Sequence, residues 1–365
     1  MAEKVKKQYT NIDDLLIEAV NMGGTDLHLS VGTKPRCRVH GELQDLPYDI
    51  LQPTTVWKII QPLLDAQARV TINDFGQYDR SYSVKDLARF RVNIFKQRGD
   101  YAGVFRVLNE TPPDYRSLGL PYNIFNLYKK RRGLILIVGP TGSGKSTTLA
   151  SFLDIINANL YKHIITLEDP IEYIHWHKRS LVNQREIGTD CNTFANGLRA
   201  ALREDPDVIL VGEMRDLETT EIAITSAETG HLVCSTLHTL GASETINRMI
   251  DMYPEAQHNQ VRSQLCGILE AVVSQQLMPN IDNTGYVVAF EIMFRNKKVV
   301  EMIKNKETDK ISEYLRSEEA KREGMVSMDD TIYALYKNRK IKRDTALDYA
   351  FDRKSLQHRI DVIKD

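Results

Sequence analysis

The segment that most constrains this chain is Leu134–Val138, followed by Gly139-Pro140-Thr141-Gly142-Ser143-Gly144-Lys145-Ser146 and then Thr147-Thr148-Leu149-Ala150. Five aliphatic residues predict a buried strand, and the residues from Thr147 predict a helix. The eight residues between them fit Gly-x-x-x-x-Gly-Lys-Ser/Thr, a phosphate-binding loop in the strand-to-helix context it requires. Glycines let successive backbone N–H groups turn toward phosphate oxygens, and the helix N-terminus adds partial positive charge. Gly139 through Thr147 are therefore expected to cradle ATP. Lys145, in a solvent-accessible loop, should meet the β- and γ-phosphates, and Ser146 a magnesium ion.

Hydrolysis at such a loop needs acidic groups near the γ-phosphate, and two strand ends offer them. His163–Leu167 leads to Glu168 and Asp169 before Pro170 stops the strand. Asp207–Val211 leads through Gly212 to Glu213, where a generic strand of this kind carries Asp at the Gly212 position. Glu213 is thus a metal or water ligand on spacing, with an ordinary solvated strand-end carboxylate as the plainer alternative for both glutamates. A further strand, 231–236, runs to Thr236, His238 and Thr239, residue types that can sense a γ-phosphate or simply hydrogen-bond locally. His175 and His177 lie two apart, but no acidic or cysteine partner has metal-site spacing.

At 365 residues the chain should hold two domains. Apolar periodicity predicts a helix over 11–22. Alternation predicts strands at 26–29, 36–39, 87–94 and 103–108, with Phe90, Val92 and Ile94 on one face of the third and Arg89, Arg91 and Asn93 on the other. Prolines 112 and 113 among polar residues mark an interdomain connection, giving an amino-terminal domain 1–110, a linker 111–120 and a second domain 121–365. In the second, apolar runs at 134–138, 163–167, 208–211 and 231–236 alternate with helical stretches, the pattern of an α/β parallel sheet. From about residue 241 the pattern becomes mainly helical.

Lys plus Arg (48) balances Asp plus Glu (49), which argues against direct nucleic-acid binding. The basic start, Met1–Lys7, lacks the apolar segment of a secretory signal, and no apolar run approaches the roughly 20 residues that span a bilayer. Four scattered cysteines, Cys37, Cys191, Cys234 and Cys266, form no Cys-x-x-Cys pair and predict reduced thiols in a cytosol.

Taken together, Ile165–Glu172, Arg203–Asp216 and Thr229–Thr239 resemble the aspartate box, Walker B region and histidine box of the secretion ATPase superfamily. Within it the chain is most similar to the type IV pilus retraction ATPases of the PilT/PilU family. Asn183–Glu186, Leu198–Arg203, Asp26–Ser30 and Ala88–Asn93 extend the likeness over nearly the whole length. The resemblance implies a PAS-like amino-terminal domain joined flexibly to a RecA-like P-loop ATPase domain with a helical carboxy-terminal part, in a hexameric ring with nucleotide between the domains. It makes Glu168 the catalytic glutamate and sets Glu213 on magnesium, directly or through water. His231 and His238 fall in the histidine box, and Arg89, Arg91 and Arg106 become sources of positive charge toward the phosphates, with surface ion pairs as the alternative. The implied partners are the inner-membrane platform protein of the pilus machine and a paralogous retraction ATPase, with cytoplasmic localisation and recruitment to the inner membrane's cytoplasmic face.

Two departures bear on the branch. Secretion and pilus-extension members usually carry an extra amino-terminal domain and a tetracysteine zinc motif. Neither is found here, which favours retraction over pilus assembly or type II secretion. The carboxy-terminal motif Ala-Ile-Arg-Asn-Leu-Ile-Arg-Glu aligns with Lys298–Asn305 and is eroded, its apolar skeleton surviving at Val299, Met302 and Ile303. That opens an accessory-motor reading beside the primary one. A RecA-like nucleic-acid motor and a nucleotide-binding scaffold are the remaining alternatives; the intact Lys145, Glu168 and Glu213 weigh against the scaffold.

Overall fold

A computed structural model describes residues 11–108 and 111–362. Met1–Lys7 and the first two residues of the 109–114 connection lie outside them. The chain divides into two compact units, one reaching to Thr111 and including Pro170–Tyr173, the other comprising Pro112–Asp169 and the chain from Ile174 onward.

The first unit opens with α1 (Ile12–Asn21), started by a reciprocal cap: the Asn11 side chain accepts from the Asp14 N–H at 3.2 Å while Asp14 accepts from the Asn11 N–H. Strands β1 (Asp26–Leu29), β2 (Arg36–Val39) and β3 (Glu42–Asp45) follow, then α2 (Pro53–Ile60), α3 (Ala66–Phe75), β4 (Gln77–Val84), β5 (Ala88–Gln97) and β6 (Asp100–Leu108). They make an antiparallel sheet ordered β3-β2-β1-β6-β5-β4. Phe90, Val92 and Ile94 of β5 pack with Leu15 and Leu16 of α1, Ile59 and Ile60 of α2 and Ile72 of α3. The expected period of two holds, and it leaves Arg89, Arg91 and Asn93 on the opposite face.

In the second unit, α4 (Tyr122–Phe125) precedes β7 (Gly133–Val138), α5 (Lys145–Asn159), β8 (His163–Glu168), β9 (Leu181–Glu186), α6 (Phe194–Ala201), β10 (Val208–Val211), α7 (Leu217–Glu228), β11 (Leu232–Leu237), α8 (Ala242–Asp251), α9 (His258–Ile268), β12 (Leu269–Pro279) and β13 (Tyr286–Phe294). The sheet order is β13-β12-β7-β11-β10-β8-β9, every pair parallel except β12–β13. Helices cover both faces, so the central strands β7, β11 and β10 are buried throughout and mostly apolar. Leu134, Leu136 and Val138 of β7 pack with α6–α9, while Ile135 and Ile137 pack with Leu149, Phe152 and Leu153 of α5. Helices α10 (Lys297–Lys304), α11 (Ile311–Tyr314), α12 (Glu318–Arg322), α13 (Met328–Lys337), α14 (Arg343–Tyr349) and α15 (Arg353–Asp361) complete it. The last three form a small core with Met278 and Ala289 of the β12–β13 ribbon.

Two stretches carry more structure than their residue pattern alone indicates. The stretch 111–120 is packed from Pro113 on: Ser151 Oγ donates to the Pro113 carbonyl at 2.7 Å, and Tyr115 stacks obliquely on Phe125 with centroids 4.9 Å apart. After 241 helices predominate, interrupted by β12 and β13. Buried polar residues hide β12: Ser274 Oγ accepts from the Gly241 N–H at 3.0 Å and Gln275 Nε2 donates to Thr148 Oγ1 at 3.0 Å, so the strand shows no long apolar run.

Candidate functional site

In a parallel sheet all strands end on one edge, and ligands bind outside those ends. Here β7, β11, β10 and β8 are consecutive neighbours, so the phosphate loop, His238, Glu213 and Glu168 lie along the same edge.

The loop leaves β7 at Gly139, where φ is 142° and a Cβ would stand 2.2 Å from the Gln275 carbonyl oxygen and 2.7 Å from Ser143 Oγ. Only glycine fits between β12 and the loop. The loop delivers Gly144, with φ 87°, as the N-cap of α5, and no side chain caps that end. That end of the helix presents its partial positive charge to an anion. Ser143 Oγ is buried with no hydrogen-bond partner among the described residues, as expected where a phosphate oxygen completes the bonding. Pro140, Thr141 and Gly142 are exposed at the tip, as is Ser146 on the first turn; Thr147 is half-buried. Lys145 departs from expectation. Rather than lying open to solvent it is 8% exposed, its Nζ donating to the carbonyls of Gly139 and Pro140 at 2.9 Å each.

Glu168 ends β8. Its Oε1 accepts from Thr166 Oγ1 at 2.6 Å and from Gln184 Nε2 at 3.0 Å. Glu213 follows β10 and is nearly buried; it pairs with Arg215, and His238 Nε2 lies 3.5 Å from its Oε2. Gly212 answers the question posed by the missing Asp. Its N–H donates to the Leu167 carbonyl at 2.8 Å, and a Cβ would come within 3.1 Å of that same oxygen, so the position disfavours a larger side chain. Thr236 Oγ1 donates to the Gly212 carbonyl at 2.6 Å, tying the end of β11 to that of β10.

His231 is not brought to this edge. It precedes β11, its carbonyl accepts from the N–H of Gly133 at the start of β7, and its Nδ1 lies 2.9 Å from the Ser226 carbonyl. Six strand residues lie between it and His238, a span of about 23 Å at 3.3 Å per residue. Within this chain it lies at the start of β11, at the end of the strand opposite to His238. His175 and His177 both serve the local loop. The His175 N–H donates to Gln184 Oε1 at 2.8 Å, and His177 Nδ1 accepts from the Val182 N–H at 3.1 Å.

The amino-terminal arginines form a row on the helix-free face. Arg91 pairs in register with Arg106 across β5 and β6, and Arg106 with Asp26 across β6 and β1. Arg106 Nε bonds Asp26 Oδ1 at 2.7 Å, and Arg89 Nη2 donates to Ser81 Oγ at 2.8 Å. Burial pushes the Asp26 carboxyl up, but hydrogen bonds from Arg106 and Thr25 with the Arg106 charge outweigh it and hold it below the usual range.

Sequence reasoning did not single out Arg215, Thr166 or Gln184 as site residues. The two-residue spacing of Glu213 and Arg215 was available as a signal; the contact between Gln184 and Glu168 needs the β8–β9 register. For ATP the unpartnered Ser143 hydroxyl and the Gly139 cradle fit a phosphate. For magnesium, the Ser146 hydroxyl and the Glu213 carboxylate are the hard oxygen donors that ion takes.

A family model described as "Type II/IV secretion system protein" matches residues 104–358. The type IV pilus retraction ATPase PilT of Pseudomonas aeruginosa is 41% identical over 341 residues, covering 93% of this chain and 98% of that protein. The type IV pilus ATPase PilU of the same organism is 34% identical, covering 93% and 88% respectively. The crystal structure of the pilus retraction motor PilT with bound ADP superposes with a TM-score of 0.89 at 42% identity, covering 96% of this chain and all of that one. With the phosphate loop and both glutamates on one sheet edge, the chain belongs to the type II/IV secretion system protein family, among the relatives of the type IV pilus ATPases PilT and PilU.

Proposed function

We propose that this protein is an ATP-hydrolysing motor subunit that acts in a homo-hexameric ring to retract a type IV pilus. The observation that carries the reading is the gathering of the phosphate loop, Glu168 and the Glu213–His238 pair on one edge of the parallel sheet. In this reading the second unit is a RecA-like ATPase core with a helical carboxy-terminal part, and the first is a PAS-like domain. Lys145 transfers its ammonium from the Gly139 and Pro140 carbonyls to the β- and γ-phosphates, and Glu168 orients the attacking water and accepts its proton. Glu213 and Ser146 are the residues that would hold magnesium, which would neutralise charge on the phosphates. His238 touches Glu213 and so reports on what that carboxylate holds. The Asp26 pairing of Arg106 supports a structural role for that residue.

The ring docks from the cytoplasm on the inner-membrane platform protein of the pilus machine and works beside a paralogous retraction ATPase. A specific observation supports an accessory role. Helix α10 keeps Val299 and Ile303 buried, while the motif's first Arg is replaced by half-buried Val300 and its final Glu by exposed Asn305, and Lys304 keeps the charge of the second Arg, so the packing is preserved and the charge pattern altered. The catalytic core of the reading is tested with Glu168→Gln, which keeps shape and removes the base. ATP should still bind while hydrolysis falls by about two to four orders of magnitude. Unchanged turnover would remove Glu168 from the reaction.

A further inference from the structure

We infer that Thr166 and Gln184 are positioning residues that fix the carboxylate of Glu168 for hydrolysis, an inference that rests on the assignment of Glu168 as the base. The β8–β9 register places Thr166 directly opposite Gln184, and the period of two puts Thr166 and Glu168 on the same face of the strand. The Thr166 hydroxyl and the Gln184 amide converge on one oxygen, Oε1, at 2.6 and 3.0 Å. Two donors on a single oxygen fix the rotation of the carboxylate plane, which a strand-end glutamate with three free torsions would not hold by itself.

Each donor is itself fixed. Thr166 is β-branched and fully buried, which restricts its χ1. Gln184 is set by the His175 N–H, which can only donate and lies 2.8 Å from Oε1 of the amide. The carbonyl end of Gln184 therefore faces His175, and its NH2 end must face Glu168. The loop carrying His175 is tied in turn: the Asn157 side chain donates to the Trp176 carbonyl at 2.7 Å and accepts from the Lys178 N–H at 3.0 Å. A chain of hydrogen bonds thus runs from α5, the helix that the phosphate loop opens, to the proposed base.

The test uses the full chain, assembled with ATP and magnesium. Thr166→Val keeps shape and removes the hydroxyl, Thr166→Ser restores it, and Gln184→Met removes the amide on the edge strand, where misfolding is least to be feared. Loss of one charge-assisted donor should lower kcat by about 10- to 100-fold while leaving KM for ATP and nucleotide affinity unchanged. Thr166→Ser should recover most of the rate. In a Glu168→Gln background, Thr166→Val should change the residual rate by less than about twofold, because its effect passes through the carboxylate. Rates within twofold of wild type for both Thr166→Val and Gln184→Met would overturn the inference, as would an undiminished Thr166→Val effect in the Glu168→Gln background. A lowered melting midpoint with unchanged kcat would assign the two residues to structure alone. Full turnover by Glu168→Gln itself is a separate outcome, since it overturns the base assignment and this inference with it.

Discussion

His175 offers a pH dependence whose sign and size follow from its surroundings. The ring is 7% exposed and its Nδ1 has no partner among the described residues. Burial pushes its pKa from 6.5 down to about 4; Asp154 opposes the shift and Lys178 adds to it. The folded state therefore resists protonation that the unfolded chain accepts. The stabilisation is complete above pH 6.5, declines as pH falls toward 4 and levels off below it. From the two pKa values, wild type should lose about 2 kcal/mol between pH 7 and pH 5 and about 3 kcal/mol by pH 4 on this group's account. His175→Leu, of similar volume and without a titrating ring, should lack that loss. In a unit of this size the pH 5 difference corresponds to roughly 4–8 °C in melting midpoint. Asp26 and Asp207, both held below the usual carboxylate range, add acid sensitivity toward pH 4, and His28, lowered by burial, and Glu291, raised by burial, titrate alike in both proteins, so the difference between the two reports His175. The assay is thermal unfolding of both proteins at pH 7.5, 6, 5 and 4.5. Parallel decline of wild type and His175→Leu would refute the argument.

Gly212→Asp, which restores the generic acidic residue, should lower turnover rather than raise it, because its Cβ meets the Leu167 carbonyl at 3.1 Å; steady-state ATPase rates check this. Asp329→Ala should cost about 3 kcal/mol, read from denaturation midpoints, since the buried carboxylate accepts from the Phe351 and Asp352 N–H groups and from Arg316. Light scattering with a non-hydrolysable ATP analogue should report six times 41.7 kDa, and a monomer at every concentration would exclude the ring.

Much of this was legible in the sequence because the informative residues act locally. Gly139–Ser146 defines its loop by backbone geometry, and the runs at β7, β8 and β10 are apolar because both faces of the sheet are covered. What escaped depends on pairing between distant segments. Strands β4 and β9 are edge strands and mostly polar, and β12 carries buried Ser274, Gln275 and Gln276, so none shows a sustained apolar run or a full apolar alternation. His231 was grouped with His238 because they share a motif. A parallel strand of six residues puts them at opposite edges of the sheet. Lys145 seemed exposed because its loop is glycine-rich, yet nearby carbonyls at Gly139 and Pro140 draw the ammonium inward.

The central claim, that hydrolysis at this sheet edge powers pilus retraction, is tested most directly by placing Glu168→Gln at the gene's own locus and filming labelled pili. The account predicts normal protein levels, fewer or slower retraction events and excess surface pili. Retraction and piliation indistinguishable from wild type would contradict it.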